Sequence, residues 1–421
     1  MGGANLDTKS FPSSGKSWSI IQNEMSDMRS QDAKLREGRS ALHYYSAGDD
    51  VTHVAREAYM MFISESGLAP GAFPSLVQME SEVVSGMLEL HNARECAAGS
   101  ITTGGTESIF LAMKAAREWF RKSRPRLSGT MNLILPRTAH PAFDKAAHYL
   151  GLLPVRVSVG YDYRADVGVI ERAITDNTAM IVGSAPNLPY GCVDPIKDLG
   201  TLAEQYGVWL HVDACIGGCL APFAKRLGHP IPDYDFAIPG VHSISADIHK
   251  FGYAAKGVSV ILYANGDLHE YQKFEMSNWP KGGYRTPTFT GTRSGGGIAS
   301  AWAVMNYLGM DGYTARAKRA LALWQRYIDI IISIDDCAII GKPDLAVVAF
   351  SSPTVDIFAV AEEMSRLGWY VSRVAEPRGM HQIVNLAHEQ ACESYFEDLR
   401  KSMRVVRTSS SSAECAYVET Y

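Results

Sequence analysis

The chain lacks a long apolar run. Of its 421 residues the most apolar stretch, Ile328 to Ile334, is short and interrupted by Asp329. A membrane-spanning helix needs about 18 or more apolar residues in a row, so no integral membrane segment is expected. The chain also lacks a basic block. Lys and Arg total 40 against 45 Asp and Glu, spread so evenly that nothing would track a phosphate backbone, and nucleic acid is not an expected partner. The N-terminus, MGGANLDTKSFPSSGKSW, carries no charged-then-apolar leader pattern, and Thr8 and Ser10 miss the spacing that myristoylation behind Met1-Gly2 requires. Cysteine is sparse. Seven residues, an odd number without framework spacing, exclude a disulfide scaffold and fit reduced thiols in the cytoplasm. No internal repeat marks a solenoid.

What is present is an ordinary globular balance, 46% hydrophobic and 20% charged, in a chain long enough for one large domain and a smaller one. From about 100 to 265 apolar runs alternate with amphipathic stretches, the pattern of an α/β domain with helices on both faces of a mostly parallel sheet. Strands are predicted at 131–135, 155–159, 179–183, 208–212, 236–238, 243–246 and 258–263, and helices at 106–121, 141–150, 167–175 and 195–206. In the first helix Ile109, Phe110, Met113 and Ala116 recur at helical spacing, so one face is buried. After Gly295-Gly296-Gly297 a long helix is expected near 313–332. Strands at 345–351, 369–374 and 382–386 with helices at 355–366 and 392–404 then predict a compact α+β lobe. The expected division is an N-terminal arm over 1–75, a large domain over 76–305, a small C-terminal domain over 306–407 and a mobile polar tail over 408–421.

Open α/β sheets bind ligands beyond the carboxyl ends of their strands, and several chemically matched residues fall there. Lys250 in SISADIHK directly follows an apolar strand. Burial disfavours the ammonium form, so such a lysine can be uncharged near neutral pH and can then form a Schiff base. An isolated His-Lys pair is more often a surface lysine beside a core histidine, but three companions change the balance. Asp213 ends the strand VWLHVDA, where a buried carboxylate needs a cationic partner. TTGGTES, Thr102 to Ser108, is a glycine turn opening a helix, whose N–H groups and Thr106 hydroxyl suit a phosphate. His140 in RTAHPAFDKAA lies between a strand and a helix, where a flat ring could stack on an aromatic ligand. A Schiff-base lysine, a pyridinium partner, a phosphate turn and a stacking ring are together the requirements of pyridoxal 5′-phosphate. His211, Asp213, Cys215 and Cys219 also crowd together in HVDACIGGC, but CxxxC has no second ligand pair elsewhere, so buried thiols rather than a metal site are expected.

The segments GGTES, AHPAFDKAAHYLG, NTAMIVGSAPNLPYGCVDPI, LHVDACIGG and SISADIHKFGYAAKGVSVILY resemble, in order, the sphingosine-1-phosphate lyase branch of the pyridoxal-dependent group II decarboxylases. The resemblance runs from about Ala55 to Leu386. It implies the aspartate-aminotransferase-like fold (fold type I), a homodimer with its site at the interface, and a set of roles. Lys250 is then the Schiff-base lysine, Asp213 the pyridinium partner and His140 the stacking ring, while Gly105, Thr106 and His249 hold the cofactor phosphate, helped by Thr292 of the neighbouring subunit. Lys256 matches a second lysine near the substrate. Tyr45 in HYYSAG matches a tyrosine that reaches the site, with Tyr44 as the alternative. Two departures stand out. SGLAPGAFPSL places Ala69 where the family commonly has a histidine, and Leu188 and Tyr190 replace a usual aromatic residue and histidine.

The reaction implied is retro-aldol cleavage of a phosphorylated sphingoid base, such as sphingosine 1-phosphate, to a long-chain aldehyde and phosphoethanolamine, with Lys256 or Tyr45 as the proton carrier. An amino-acid decarboxylase on the same scaffold is the nearest alternative. A cofactor-binding regulatory protein without turnover is the more distant one.

Overall fold

The computed structural model describes residues 11–30 and 32–408. The Met1-Gly2 start and the expected tail past Thr408 lie outside the described residues. Three helices come first: α1 (Trp18–Arg29), which buries none of its residues, α2 (Asp49–Met61) and α3 (Pro74–Leu90). The central sheet then gathers seven strands, β1 (Ala98–Thr102), β2 (Asn132–Pro136), β3 (Leu153–Val157), β4 (Thr178–Ser184), β5 (Trp209–Asp213), β6 (Val241–Ala246) and β7 (Ser259–Tyr263). Their order is β1-β7-β6-β5-β4-β2-β3. β7 alone is antiparallel to its neighbours, and the remaining pairings are parallel.

Pleating divides the apolar side chains of each strand between two layers. Leu133, Met180, Val182, Trp209, Ile261 and Tyr263 pack with α4 (Gly105–Ser123) and α5 (Ala142–Leu150). Ile134, Ile181, Leu210, Val212, Val260 and Leu262 join the opposite core, with α7 (Ile196–Tyr206), α8 (Ala221–Arg226) and α10 (Gly295–Ile332). α6 (Val167–Ala173) and α9 (Gly266–Glu270) are short connections, and β8 (Phe274–Met276) with β9 (Tyr284–Thr286) forms an outlying hairpin. A second, antiparallel sheet follows in the order β10-β11-β13-β12, from β10 (Ala338–Ile339), β11 (Val347–Ser351), β12 (Ser372–Ala375) and β13 (Arg378–Ile383), accompanied by α11 (Ile357–Arg366) and α12 (Cys392–Thr408).

The α/β reading holds in these terms, with local corrections. Residues 236–238 form no strand, because Asp235 draws Ala237 N to its Oδ1 and Ile238 N to its carbonyl, turning the chain ahead of Pro239. β13 begins four residues before the expected 382. The long helix begins at Gly295 rather than 313, and Gly309 breaks it with φ 53° and ψ −173°. Within the N-terminal segment α2 buries Val51 and Ala55. Among the described residues no helix is long and apolar enough to cross a membrane.

Candidate active site

The carboxyl ends of β1, β2, β5 and β6 open on a cavity of about 860 Å³. Gly105, Thr106, His140, Asp213, His249 and Lys250 all line it. The turn from β1 into α4 passes through Gly104 at φ +151°, in the region that favours glycine. At Gly105 an added Cβ would stand 2.8 Å from both Asp247 Oδ1 and Cys215 Sγ. The start of α4 is thus bare backbone, with the unpaired N–H groups of a first helical turn beside the cavity.

Each remaining group is fixed by its own local bonds. His140 follows β2, and its Nδ1 accepts from Ala142 N at 3.1 Å, which sets the ring plane. Burial lowers its pKa, with Asp213 pulling the other way. Asp213 Oδ1 accepts from Cys215 N at 3.1 Å and Ser245 Oγ at 3.3 Å, while Oδ2 takes no hydrogen bond among the described residues. A buried carboxylate with one oxygen uncommitted suits a protonated ring nitrogen. His211, two residues earlier, is held by Ser243 and Ser245, and burial pushes its pKa down to about 4. It is a neutral core histidine. His249 donates Nδ1–H to Val258 O at 2.9 Å, leaving Nε2 as its second nitrogen, and burial lowers its pKa.

Lys250 departs from expectation. Burial, the largest single influence, works against its ammonium, but Asp247, with Oδ2 3.1 Å from Nζ, and then Tyr45, Cys215 and Asp213 together outweigh it. The pKa is therefore raised, and the free amine is held charged rather than neutral. The expectation failed because it counted desolvation without the carboxylate three residues earlier.

Lys256 is exposed as a residue, yet its Nζ folds back over the Tyr45 ring, 4.8 Å from the centroid. Desolvation of this end and then the charge of Lys250 push its pKa down to about 8. Burial pushes the Tyr45 hydroxyl up to about 12, against the pull of Lys250. The Tyr45 hydroxyl thus senses the charge of Lys250. Among the described residues no three His, Cys, Asp or Glu side chains group as metal ligands.

A bare helix N-terminus, an open buried carboxylate, a ring on a fixed plane and a lysine at one cavity fit pyridoxal phosphate. The sequence signature of the pyridoxal-dependent decarboxylase conserved domain matches residues 4–352. The chain is 39% identical over 404 residues to sphingosine-1-phosphate lyase of Oryza sativa subsp. japonica, covering 94% of this chain and 74% of that protein. It is 41% identical over 372 residues to the lyase of Dictyostelium discoideum, covering 87% and 69%. The chain belongs to the sphingosine-1-phosphate lyase family. The solved structure of sphingosine-1-phosphate lyase Bpss2021 from Burkholderia pseudomallei K96243 superposes with a TM-score of 0.90 at 35% identity, over 95% of this chain and 93% of that one. The protein is accordingly a pyridoxal phosphate enzyme of the lyase class.

Within this lyase fold the remaining residues sort by position. Leu188 lines the cavity. Tyr190 does not, since its hydroxyl donates to Glu376 O and it borders a separate hollow beside Arg137 and His381. Ala69 and Thr292 are exposed and lie outside this chain's own cavity. Sequence reasoning missed two carboxylates. Glu107 Oε2 accepts from Thr103 N at 2.7 Å and Oγ1 at 2.6 Å, and its Oε1 accepts from Phe289 N at 2.9 Å and Thr290 N at 3.3 Å, tying the glycine turn to the segment ahead of Thr292. Its place in GGTES was the available signal. The other is Asp247, whose signal was its position three residues before the lysine.

Proposed function

We propose that the protein cleaves the Cα–Cβ bond of a phosphorylated sphingoid base by retro-aldol chemistry, releasing a long-chain aldehyde and phosphoethanolamine. The observation that carries this reading is the convergence of Lys250, Asp213, His140 and the start of α4 on one cavity in a member of this lyase family. Pyridoxal phosphate bound there supplies an electron sink for the pair of electrons left by the broken bond.

The chain's own residues supply the rest. Gly105 and Thr106 would hold the cofactor phosphate at the helix N-terminus, with His249 beside it. The negative phosphate favours protonation of Nε2. Asp213 Oδ2 would keep the ring nitrogen charged, and the His140 ring would cover one ring face. Lys250 would hold the cofactor covalently between turnovers. With a pKa near 8, Lys256 carries an appreciable neutral fraction at working pH and is the proton carrier for the β-hydroxyl. Tyr45, raised to about 12, keeps its proton. Ile109, Phe110, Leu188, Ile216 and Phe289 give the cavity apolar walls suited to an alkyl chain.

The active unit of this proposal is a homodimer in which Thr292 reaches the partner's site. Phe289, three residues before Thr292 and 67% exposed, supports an interface there. A reducing, cytoplasmic compartment is proposed with it, since the six described cysteines are all free thiols. Separate incubations with a phosphorylated sphingoid base and with amino acids, each assayed for aldehyde and carbon dioxide, test the reaction. Aldehyde without carbon dioxide is expected; carbon dioxide from an amino acid with no aldehyde from the lipid would replace the lyase reading by the decarboxylase one.

A further inference from the structure

Asp247 has no part in the roles assigned so far. It stands just beyond the end of β6 with 4% of its surface exposed. Its Oδ1 accepts from Ser259 Oγ on β7 at 2.5 Å. Its Oδ2 lies 3.1 Å from Lys250 Nζ and 3.8 Å from His249 Nε2. The turn enforces the pairing, because Lys250 N donates to Asp247 O at 3.2 Å and so folds the lysine back over the carboxylate. A carboxylate buried this deeply is costly unless paired and hydrogen-bonded. Ser259 serves one oxygen, which leaves the other to Lys250 and, at longer range, His249.

We infer that Asp247 is the docking counter-ion of Lys250: whenever the ε-nitrogen is not covalently engaged, it rests as an ammonium on Asp247 Oδ2. The other titratable groups facing Lys250 are Tyr45 from the N-terminal segment, Asp213 and Cys215 at the end of β5, His140 after β2, and His249 and Lys256 on its own loop. Among the described residues Asp247 is the one carboxylate in ion-pair contact with Nζ. To re-engage an aldehyde carbon the ammonium must first give a proton to solvent. The nitrogen lone pair then forms the C–N bond and the carbonyl oxygen leaves as water. Asp247 is thus a positioning residue that keeps Nζ in place and sets the pH at which Lys250 becomes a nucleophile. The consequence for turnover rests on the cofactor assignment; the ion pair does not.

The test reads Lys250 itself. Full-length protein stripped of cofactor is treated with trinitrobenzenesulfonate, which modifies only neutral amines, and labelling of Lys250 is followed by peptide mass spectrometry against pH, with exposed Lys318 as the internal standard. In the wild type, labelling of Lys250 is expected still to be rising above the ordinary lysine range near pH 10.4. In Asp247→Asn, which keeps an acceptor for Ser259, it should be about tenfold faster or more at a given lower pH, the ratio that one pH unit represents. Equal midpoints in the two proteins would overturn the inference. So would a wild-type curve that levels off below about pH 9, where desolvation alone would place the lysine, a measurement that stands even if the variant does not fold. Neither readout involves the cofactor; failure of the cofactor assignment would appear separately, as no borohydride-fixed adduct on Lys250 of the wild type.

Discussion

Lys256 Nζ stands 4.8 Å from the centroid of the Tyr45 ring, so a cation from the loop after Lys250 rests on the face of an aromatic residue from the N-terminal segment. A cation over a ring face is attracted by the ring quadrupole, and the contact partly desolvates the ammonium. That contact joins the N-terminal segment to the site, while burial and then the charge of Lys250 push the Lys256 pKa down to about 8.

The first prediction follows from that value. The neutral amine grows as pH rises through about 8, so a base at this position makes kcat/KM for a phosphorylated sphingoid base climb through the same range. Lys256→Met should lose the ionisation and about 10²–10⁴-fold in kcat, the usual contribution of a positioned proton carrier. A pH–rate profile of the variant that keeps the limb near 8 would move the role to another group.

Much of this was legible in the sequence, for physical reasons. β2, β4 and β5 read as apolar runs because they are buried on both faces, and the residues just beyond such strands could be nominated from the topology rule alone. β1 escaped because AGSIT opens on Ala, Gly and Ser, which favour no strand, and is completed by antiparallel pairing with β7, 157 residues or more away in sequence. The strand expected at 236–238 was the converse, an apolar triplet overruled by the Asp235 turn. The charge state of Lys250 could not be read, because it depends on how close Asp247 comes, and only the folded turn sets that distance. Glu107 is similar: its four hydrogen bonds join segments 180 residues apart.

A second prediction concerns the shared site. Thr292 is exposed while the neighbouring Arg293 is buried, bonded to Glu80 Oε1 at 2.5 Å and Ile101 O at 3.1 Å. The loop is therefore anchored by one residue and offers the next outward. If Thr292 serves the partner's cofactor phosphate, Lys250→Ala and Thr292→Ala chains, each defective alone, should regain activity on mixing, because one site of the mixed dimer keeps both residues. Up to about a quarter of wild-type activity per total site is expected for random pairing of equal amounts, where half the dimers are mixed and each has one live site. Activity assays after mixing and re-equilibration measure it, and mixed dimers that form without any recovery would exclude a shared site.

The last prediction concerns Ala69, whose place is tied to Thr292 by the backbone. Gly67 N donates to Arg293 O at 3.0 Å and Gly295 N to Glu65 O at 2.9 Å, with Ser66 bridged to Ser294, so the turn carrying Ala69 and the loop carrying Thr292 emerge side by side. Both are exposed and neither lines this chain's cavity. A side chain at 69 would accordingly act, like Thr292, on the partner's substrate. One hydrogen bond to a charged group contributes about 1.5–3 kcal/mol, which corresponds to roughly ten- to a hundredfold in rate or affinity. Ala69→His should raise kcat/KM for a phosphorylated sphingoid base by about that factor. The direction of action can be read as well. A chain carrying both Ala69→His and Lys250→Ala is dead alone, but paired with wild type it presents the new imidazole to the one live site, and that dimer should show the gain. If instead Ala69→His leaves kcat/KM unchanged or lower in every pairing, position 69 holds no missing group. Tyr190 does not replace it from within this chain's cavity, since its hydroxyl is committed to Glu376 O.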